Sequence, residues 1–480
     1  MQKIANYIAG KLLPPASGEY IDNIDPAIGK VYSHTPDSDE RDIGQAVQAA
    51  QRAFPVWSAK TAGQRAAYLY RLSSLIDANI EKLALAESVD NGKPLALALA
   101  VDIPRASQNF HFFASAIEQF ASESHATSER VLNYTLRKPI GIAGCISPWN
   151  LPLYLFSWKI APALAAGNCV IAKPSEITPM TAFLLSELCI EAGFPGGVLN
   201  IVHGLGHKVG AAITAHSDIG VISFTGGTRT GAEIARTTAP TFKKVSLELG
   251  GKNPTLIFAD CQYDDMLDTT LRSSFTNQGQ ICLCGSRIFV ERAVYAKFKQ
   301  DFVARTRELT VCDPLEPESR LGAVVSQQHI EKILSYIELA KEEGGTILCG
   351  GERVQLTGRC KNGFFVAPTV IEGLDAHCRT NQEEIFGPVV TIMPFEGEDE
   401  ALKLANSTEY GLAATVWTEN LSRAHRLGSE LQAGVVWVNC WLLRDLRTPF
   451  GGTKSSGVGR EGGDEALRFF TEPKNVCIKF

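Results

Sequence analysis

The sequence has no run of roughly 18 apolar residues, the length a membrane-spanning helix needs, and its start, MQKIANYIAGKLLPPASG, carries no sustained apolar stretch of the kind a secretory leader has. It lacks a strong charge of either sign. Its 46 basic and 52 acidic residues leave a formal net charge of -6, so there is no basic face with which to neutralise nucleic-acid phosphates. It also lacks a cysteine framework. The 12 cysteines are scattered from Cys145 to Cys477, and the only close pair, Cys282 and Cys284, has no neighbouring Cys or His at zinc-ligand spacing, which implies no metal. Disulfide-stapled domains are small and secreted, and this chain is neither small nor visibly secreted. No repeat or low-complexity segment is present, and the acidic stretch Glu396–Glu400 reads as a solvated loop and helix start. These absences exclude a nucleic-acid partner and a membrane span, and predict a reduced, soluble, cytoplasmic protein.

What is there is ordinary globular composition: 480 residues, 45% hydrophobic and 20% charged. At about 100–200 residues per domain, that predicts two to four structural units. Asp42–Trp57 and Gln64–Ile80 carry apolar residues at helical spacing, and Pro104 reads as a helix start. From Gly141 the texture changes. Short apolar runs (GIAGCISP, CVIAKPS, VLNIVHG, VISFTGG) alternate with helical stretches, the rhythm of a parallel sheet flanked by helices. After Gly251 the rhythm recurs through TLIFAD, RIFVER, VVTIMPF and VVWVN, with a polar loop around 355–363. Val131–Lys138 and Asn475–Phe480 read as strands belonging to neither unit, of the kind that serve oligomerisation.

Three stretches carry candidate chemistry. In FTNQGQICLCGSR, a Gly-Gln turn ahead of Cys282 can open the thiol to solvent and lower its pKa through backbone N–H groups, although most intracellular cysteines are small buried hydrophobes. In LELGGKNP, Glu248 stands between two leucines; desolvation would raise its pKa and make a base that works near neutrality, against the alternative of a surface glutamate. In SPWNLP, the Asn150 amide is an uncharged donor suited to an oxyanion, against the alternative of a plain turn residue.

Taken together, and with KPSEITP, FTGGTRTG, EEIFGPV and TPFGGTKSSGVGRE following in order, these stretches resemble the signature motifs of the aldehyde dehydrogenase superfamily over nearly the whole chain. The resemblance implies an α/β fold of three parts: a Rossmann-like NAD-binding domain (1–122 and 142–249), an α/β catalytic domain (250–464) and a small β oligomerisation extension (123–141 and 465–480). It implies oxidation of an aldehyde to an acid through a thioester on Cys282, with Glu248 as hydrolytic base, Asn150 as oxyanion donor, and Lys159 and Glu461 in a proton relay. It also implies a homodimer or homotetramer.

The dinucleotide has two competing glycine-rich stretches. HGLGHKVG is a near miss of the G-x-G-x-x-G pattern, while FTGGTRTG also follows a strand and opens a helix. In the family it is the second that faces the pyrophosphate, which implicates Gly226 and Gly227, with Gly231 letting the helix pack closely. Many relatives have serine where Gly227 stands here. Lys173, Ser175 and Glu176 in KPSE resemble residues that hold the adenosine ribose; a carboxylate there favours NAD over NADP. Glu384 and Phe386 resemble those at the nicotinamide end, and Trp149 lines the same cleft.

For the substrate, VDIPRASQNFHFFAS and NCWLLRDLRTPFGG look closest to the branch of the superfamily that acts on 2-aminomuconic 6-semialdehyde and 2-hydroxymuconic semialdehyde. That likeness implies two arginines gripping a substrate carboxylate, matched to Arg105 and Arg447, with Arg444 the nearest rival. Tyr154 and Phe450, and with them Cys284, are expected to line the tunnel. A betaine or aliphatic aldehyde as substrate, and an inactive crystallin-like protein, stand as alternatives.

Overall fold

The structure, a computed structural model, describes all of residues 1–480. Two sheets dominate it. The first has eight strands in the order Gly457–Val458, Lys244–Glu248, Ile219–Thr225, Ile142–Ile146, Cys169–Lys173, Leu199–Ile201, Asn6–Ile8 and Lys11–Leu13. The five from Lys244–Glu248 to Leu199–Ile201 are parallel. Every residue of Ile142–Ile146 and Cys169–Lys173 is buried, as strands covered on both faces must be. The helix Pro152–Ala165 between them is mostly apolar and buried along its whole length, Lys159 included.

The second sheet has seven strands in the order Thr346–Cys349, Thr369–Glu372, Val389–Phe395, Gly285–Glu291, Asn253–Ile257, Ala413–Trp417 and Val435–Val438. The third, Thr471–Lys479 with Val131–Pro139 and Ser124–Ser128, is antiparallel and largely exposed. No helix is long and apolar enough to cross a membrane, and all twelve cysteines are free thiols.

Three details differ from the sequence reading. The strand Gly457–Val458, expected with the second unit, pairs with Leu247–Glu248 on the edge of the first sheet. The helix Gly463–Phe469 packs on the helices Pro152–Ala165 and Ile103–Gln119 of the first unit, so that of the C-terminal stretch only Thr471–Lys479 joins the separate sheet. Pro104 is in the first turn of a helix as expected, but that helix does not begin from a loop. The helix, Ile103–Gln119, continues from a π-helical turn at Ala98–Asp102. The wider turn has already broken the i to i-4 ladder there, so the missing proline N–H costs little.

The parallel strands of the first sheet all end at one edge. Lys173, Thr225 and Glu248 are the last residues of three of them, and Trp149 and Asn150 follow a fourth. In open α/β sheets this carboxyl edge is where ligands bind.

Candidate active site

Cys282 sits at the end of a strained turn. Asn277, Gln278 and Gly279 have φ of +54°, +56° and +68°, three left-handed residues in a row. Gly279 is obligatory, since a Cβ there would lie 2.1 Å from the carbonyl oxygen of Gly387. The two non-glycine residues cost on the order of 1–2 kcal/mol each, and side chains of the turn hold it in place. Gln278 Nε2 donates to the Ala323 carbonyl at 2.8 Å, Gln280 Oε1 accepts from the Val325 N–H at 3.0 Å, and Asn277 Nδ2 donates to the Asn150 carbonyl at 2.9 Å. Asn253 grips the far side of the loop, donating to the carbonyls of Cys282 and Cys284 at 2.7 and 2.9 Å.

The thiol environment differs from the sequence expectation. Cys282 is half-buried rather than open, and its pKa is pushed up, first by burial and then by the charges of Glu384 and Glu248; Arg444 alone pulls it down. The turn does supply geometry. Asn150, buried, donates one amide N–H to the Gln280 carbonyl at 2.9 Å, and an amide carries two. Asn150 and Cys282 line one cleft of about 250 Å³ together with Trp149, Thr225, Gly226, Gly227, Glu384 and Phe386.

Glu248 is buried and neither carboxylate oxygen has a hydrogen-bond partner. Its pKa is raised well above the ordinary value, by burial first and by the Glu461 charge second, against Lys159, Arg444 and Arg460. Lys159 Nζ is 2.8 Å from Glu461 Oε1, and Ser223 Oγ touches both, at 3.2 and 3.3 Å. The Gly-Gly after Glu248 answers a packing demand: a Cβ at Gly250 would lie 2.6 Å from Glu384 Oε2, and one at Gly251 2.9 Å from the Cys282 carbonyl.

The cleft runs from this centre toward groups that fit a dinucleotide. The helix Thr228–Thr238 begins at Gly227 with no side-chain cap, and the buried Thr225 hydroxyl has no partner, so this end of the cleft holds unsatisfied donors of the kind that can bind an anion. A Cβ at Gly227 would meet nothing within 4 Å, so a serine would fit there, whereas one at Gly231 would strike Leu249 at 2.5 Å. Lys173 Nζ is 2.9 Å from Glu176 Oε2. Burial alone would raise Glu176, but Lys173 and a hydrogen bond from the Gly206 N–H hold it below the usual range, so the first glycine-rich stretch, HGLGHKVG, reaches this turn. Ser175 is buried in the same turn. At the other end, Glu384 accepts from the Gly251 N–H at 2.8 Å, and Phe386, with φ +63°, meets Trp149 edge-on at 5.3 Å. His329, which nothing in its helical sequence context singles out, lies 2.7 Å from the Phe386 carbonyl and lines the cleft.

Cys282 also packs against a second set of groups. Tyr154, Phe450, Cys284, Trp441 and Leu151 form an apolar cluster against which Cys282 packs. Arg444, not Arg447, belongs to it. Arg444 Nη1 is 3.3 Å from Tyr154 Oη, its guanidinium lies 3.9 Å over the Phe450 ring, and it is near enough to act on both Glu248 and Cys282. Arg447 is 80% exposed and folds back onto Asp445 at 2.5 Å. The Asp445 carboxylate holds Arg447, two positions on, outside the pocket, while Arg444, its immediate neighbour, makes no ion pair with it. Arg105 lies over the Tyr154 ring, 5.6 Å from its centroid, so Arg105 and Arg444 share a tyrosine, and neither is ion-paired.

Comparison with known proteins gives this geometry its context. The model of the aldehyde dehydrogenase family matches residues 13–476. The chain is 50% identical to 2-aminomuconic semialdehyde dehydrogenase of Bos taurus over 479 residues, covering 99% of this chain and 98% of that one. It is 45% identical to 2-hydroxymuconic semialdehyde dehydrogenase of Pseudomonas sp. (strain CF600), covering all of both. Among solved structures, the NAD+ complex of an aldehyde dehydrogenase from Bacillus cereus superposes with a TM-score of 0.97 at 39% identity, covering 100% of this chain and 97% of that one. Identity at this level from end to end, on one backbone, leaves a single reading: the chain belongs to the aldehyde dehydrogenase family.

Proposed function

We propose that this aldehyde dehydrogenase uses NAD to oxidise a semialdehyde that carries a carboxylate, of the 2-aminomuconic or 2-hydroxymuconic type. The observation that carries the substrate class is the pair Arg105 and Arg444, unpaired cations that both contact Tyr154, a residue of the cluster on which Cys282 packs. An uncharged aldehyde would give two half-buried guanidinium groups nothing to bind, whereas a carboxylate accepts forked, charge-assisted hydrogen bonds from them. The names of the two semialdehyde dehydrogenases above support the same class.

The chain's own residues then divide the work. The Cys282 thiol loses its proton, and its sulfur bonds to the aldehyde carbon while the carbonyl oxygen becomes an oxyanion held by the Asn150 amide and the Cys282 N–H. The chemistry that bound NAD supplies is acceptance of a hydride, which leaves a thioester on Cys282. Glu248 takes a proton from water; the hydroxide adds to the thioester carbon, the C–S bond breaks to release the acid and the Cys282 thiolate, and the proton held by Glu248 returns to the sulfur. Gly226, Gly227 and the uncapped helix would hold the pyrophosphate, Lys173, Ser175 and Glu176 the adenosine ribose, and Glu384, Phe386 and Trp149 the nicotinamide end. A carboxylate at Glu176 would repel a 2′-phosphate, which supports NAD over NADP. The exposed three-stranded sheet, with Leu136, Ile478 and Phe480 uncovered, supports self-association as a dimer or tetramer.

The test is NADH formation from 2-hydroxymuconic semialdehyde beside betaine aldehyde and hexanal, with NAD and then NADP. Strong preference for the semialdehyde and for NAD is expected; equal turnover of hexanal would remove the carboxylate class.

Lys159 and Glu461 we read as tuning Glu248. The Glu461 charge raises Glu248 and the Lys159 charge lowers it. Glu461→Gln should therefore move the acid limb of the kcat–pH profile down, and Lys159→Met should move it up. Shifts in the same direction would sink this reading.

A further inference from the structure

Beneath the cleft lies a cluster of charges that the reaction scheme does not use. Lys93, Glu87 and Asp102 are all completely buried, with Lys93 Nζ 3.1 Å from Asp102 Oδ2 and 3.8 Å from Glu87 Oε1. The Asp102 carboxylate has no partner other than Lys93. Taking such a trio out of water is costly, and apolar side chains of the same volume would commonly serve stability as well or better. The trio is also firmly placed. Gly92, with φ +85°, turns the chain against Ala323, where a Cβ would lie 2.7 Å from the carbonyl oxygen, and Ser88 Oγ donates to the Lys93 carbonyl at 2.7 Å.

The trio reaches Asn150 from both sides of the chain. Lys93 Nζ donates to the main-chain carbonyl of Asn150 at 3.2 Å. Asn277 Nδ2, from the strained turn before Cys282, donates to the same oxygen at 2.9 Å, and Asn91 Nδ2 lies at 3.4 Å from it while donating to the Trp149 carbonyl at 2.9 Å. Three residues on, Glu87 accepts from the Leu153 N–H at 3.4 Å, at a helix start that has no side-chain cap of its own. The Asn150 amide in turn donates to Gln280, two residues before Cys282. The backbone at Asn150 is therefore held on each side while its side chain bridges to the loop that carries the nucleophile.

We infer that Lys93 is a positioning residue: braced by Glu87 and Asp102, and acting together with Asn277, it fixes the Asn150 carbonyl and through it the direction of the amide that receives the oxyanion. An oxyanion donor acts only if it is already aimed where charge develops, and a displacement of about 1 Å can cost roughly a hundredfold in rate. A merely structural trio and a positioning trio differ in what happens when the whole ion pair is removed. Lys93→Met alone strands Asp102 as an unpaired buried charge. Lys93→Met with Asp102→Asn removes the closer pair at once, and Glu87, whose pKa burial already pushes up to about 8, keeps its proton once the Lys93 charge that opposed this is gone.

The experiment measures kcat and KM with whichever of 2-hydroxymuconic semialdehyde and hexanal the parent turns over faster, so that the outcome does not depend on the substrate assignment. Melting temperature and the rate of Cys282 alkylation by iodoacetamide are measured beside it. Lys93→Met should lower both Tm and kcat. The double variant should recover the Tm but keep a kcat roughly 10- to 100-fold below the parent, with KM within about threefold and alkylation at the parental rate. Asn277→Ala, with the ion pair intact, should show the same kcat-selective loss. Parental kcat in the double variant, or its failure to fold, would overturn the inference, as would a loss expressed in KM alone.

Discussion

Glu248→Gln should release one equivalent of NADH per Cys282 in a fast first phase and then nearly stop. The glutamine cannot take a proton from water, so the thioester forms but is not hydrolysed, and steady-state turnover should fall by about 10²–10⁴-fold. The first phase should not slow, because the Glu248 charge is one of the influences that push the Cys282 thiol up, and its removal favours the thiolate. Stopped-flow absorbance at the NADH band checks this, and mass spectrometry of the stalled enzyme should find the acyl group on Cys282. Loss of the first phase would mean instead that Glu248 deprotonates the thiol itself. Stability gives an independent reading of the same group. Burial and Glu461 raise the folded-state pKa of Glu248 above the ordinary 4.5. The folded state thus keeps a proton that the unfolded chain releases, and above pH 4.5 the carboxyl costs increasing stability until it ionises in the fold as well. The Tm advantage of Glu248→Gln over the parent should accordingly be small at acid pH and widen as pH rises.

Arg444→Ala should lower kcat/KM for a carboxylate-bearing semialdehyde by roughly 30- to 1,000-fold, the effect of about 2–4 kcal/mol expected when one partner of a desolvated charge pair is truncated. Arg447→Ala should match the parent, because that side chain is 80% exposed and occupied with Asp445. Hexanal is the control that separates two roles for Arg444. Its charge also lowers the pKa of both Glu248 and Cys282. If Arg444→Ala impairs hexanal and the semialdehyde alike, it acts by tuning those groups. If only the semialdehyde suffers, it holds the carboxylate. Arg444→Lys sharpens the distinction, since lysine keeps the charge but not the planar fork. Arg105→Ala should give the same selective loss, with no effect on the pH profile, because Arg105 is not among the charges that shift Glu248 or Cys282.

Much of this site is legible in the linear sequence because its motifs are dictated by backbone contacts. Gly279 must be glycine because Gly387 approaches it, and Gly250 and Gly251 because Glu384 and the Cys282 carbonyl do, so Gly-Gln-x-Cys, Leu-Glu-Leu-Gly-Gly and Glu-Glu-Ile-Phe-Gly-Pro are three views of one packed junction. The alternating apolar runs likewise announced both parallel sheets, since strands buried on two faces have no room for polar residues. The environment of each group was another matter. The raised thiol of Cys282 depends on Glu384 and Glu248, which lie 102 and 34 positions away in the chain, and no local pattern reports a charge brought in from that distance.

The sequence by itself announced two α/β units through its alternating apolar runs, and its motifs, through their resemblance to the aldehyde dehydrogenases, singled out Cys282, Glu248 and Asn150 as candidate nucleophile, base and oxyanion donor; residue type and local spacing left each of them open when taken alone. Only the tertiary structure decided which arginine faces the pocket, where the strand Gly457–Val458 pairs, and that Lys93 supports Asn150 from 57 positions away. Those outcomes depend on direction and on long-range approach: Arg444 and Arg447 differ by a single turn of one loop, and a side chain's facing is fixed only once its neighbours from elsewhere in the chain have packed around it.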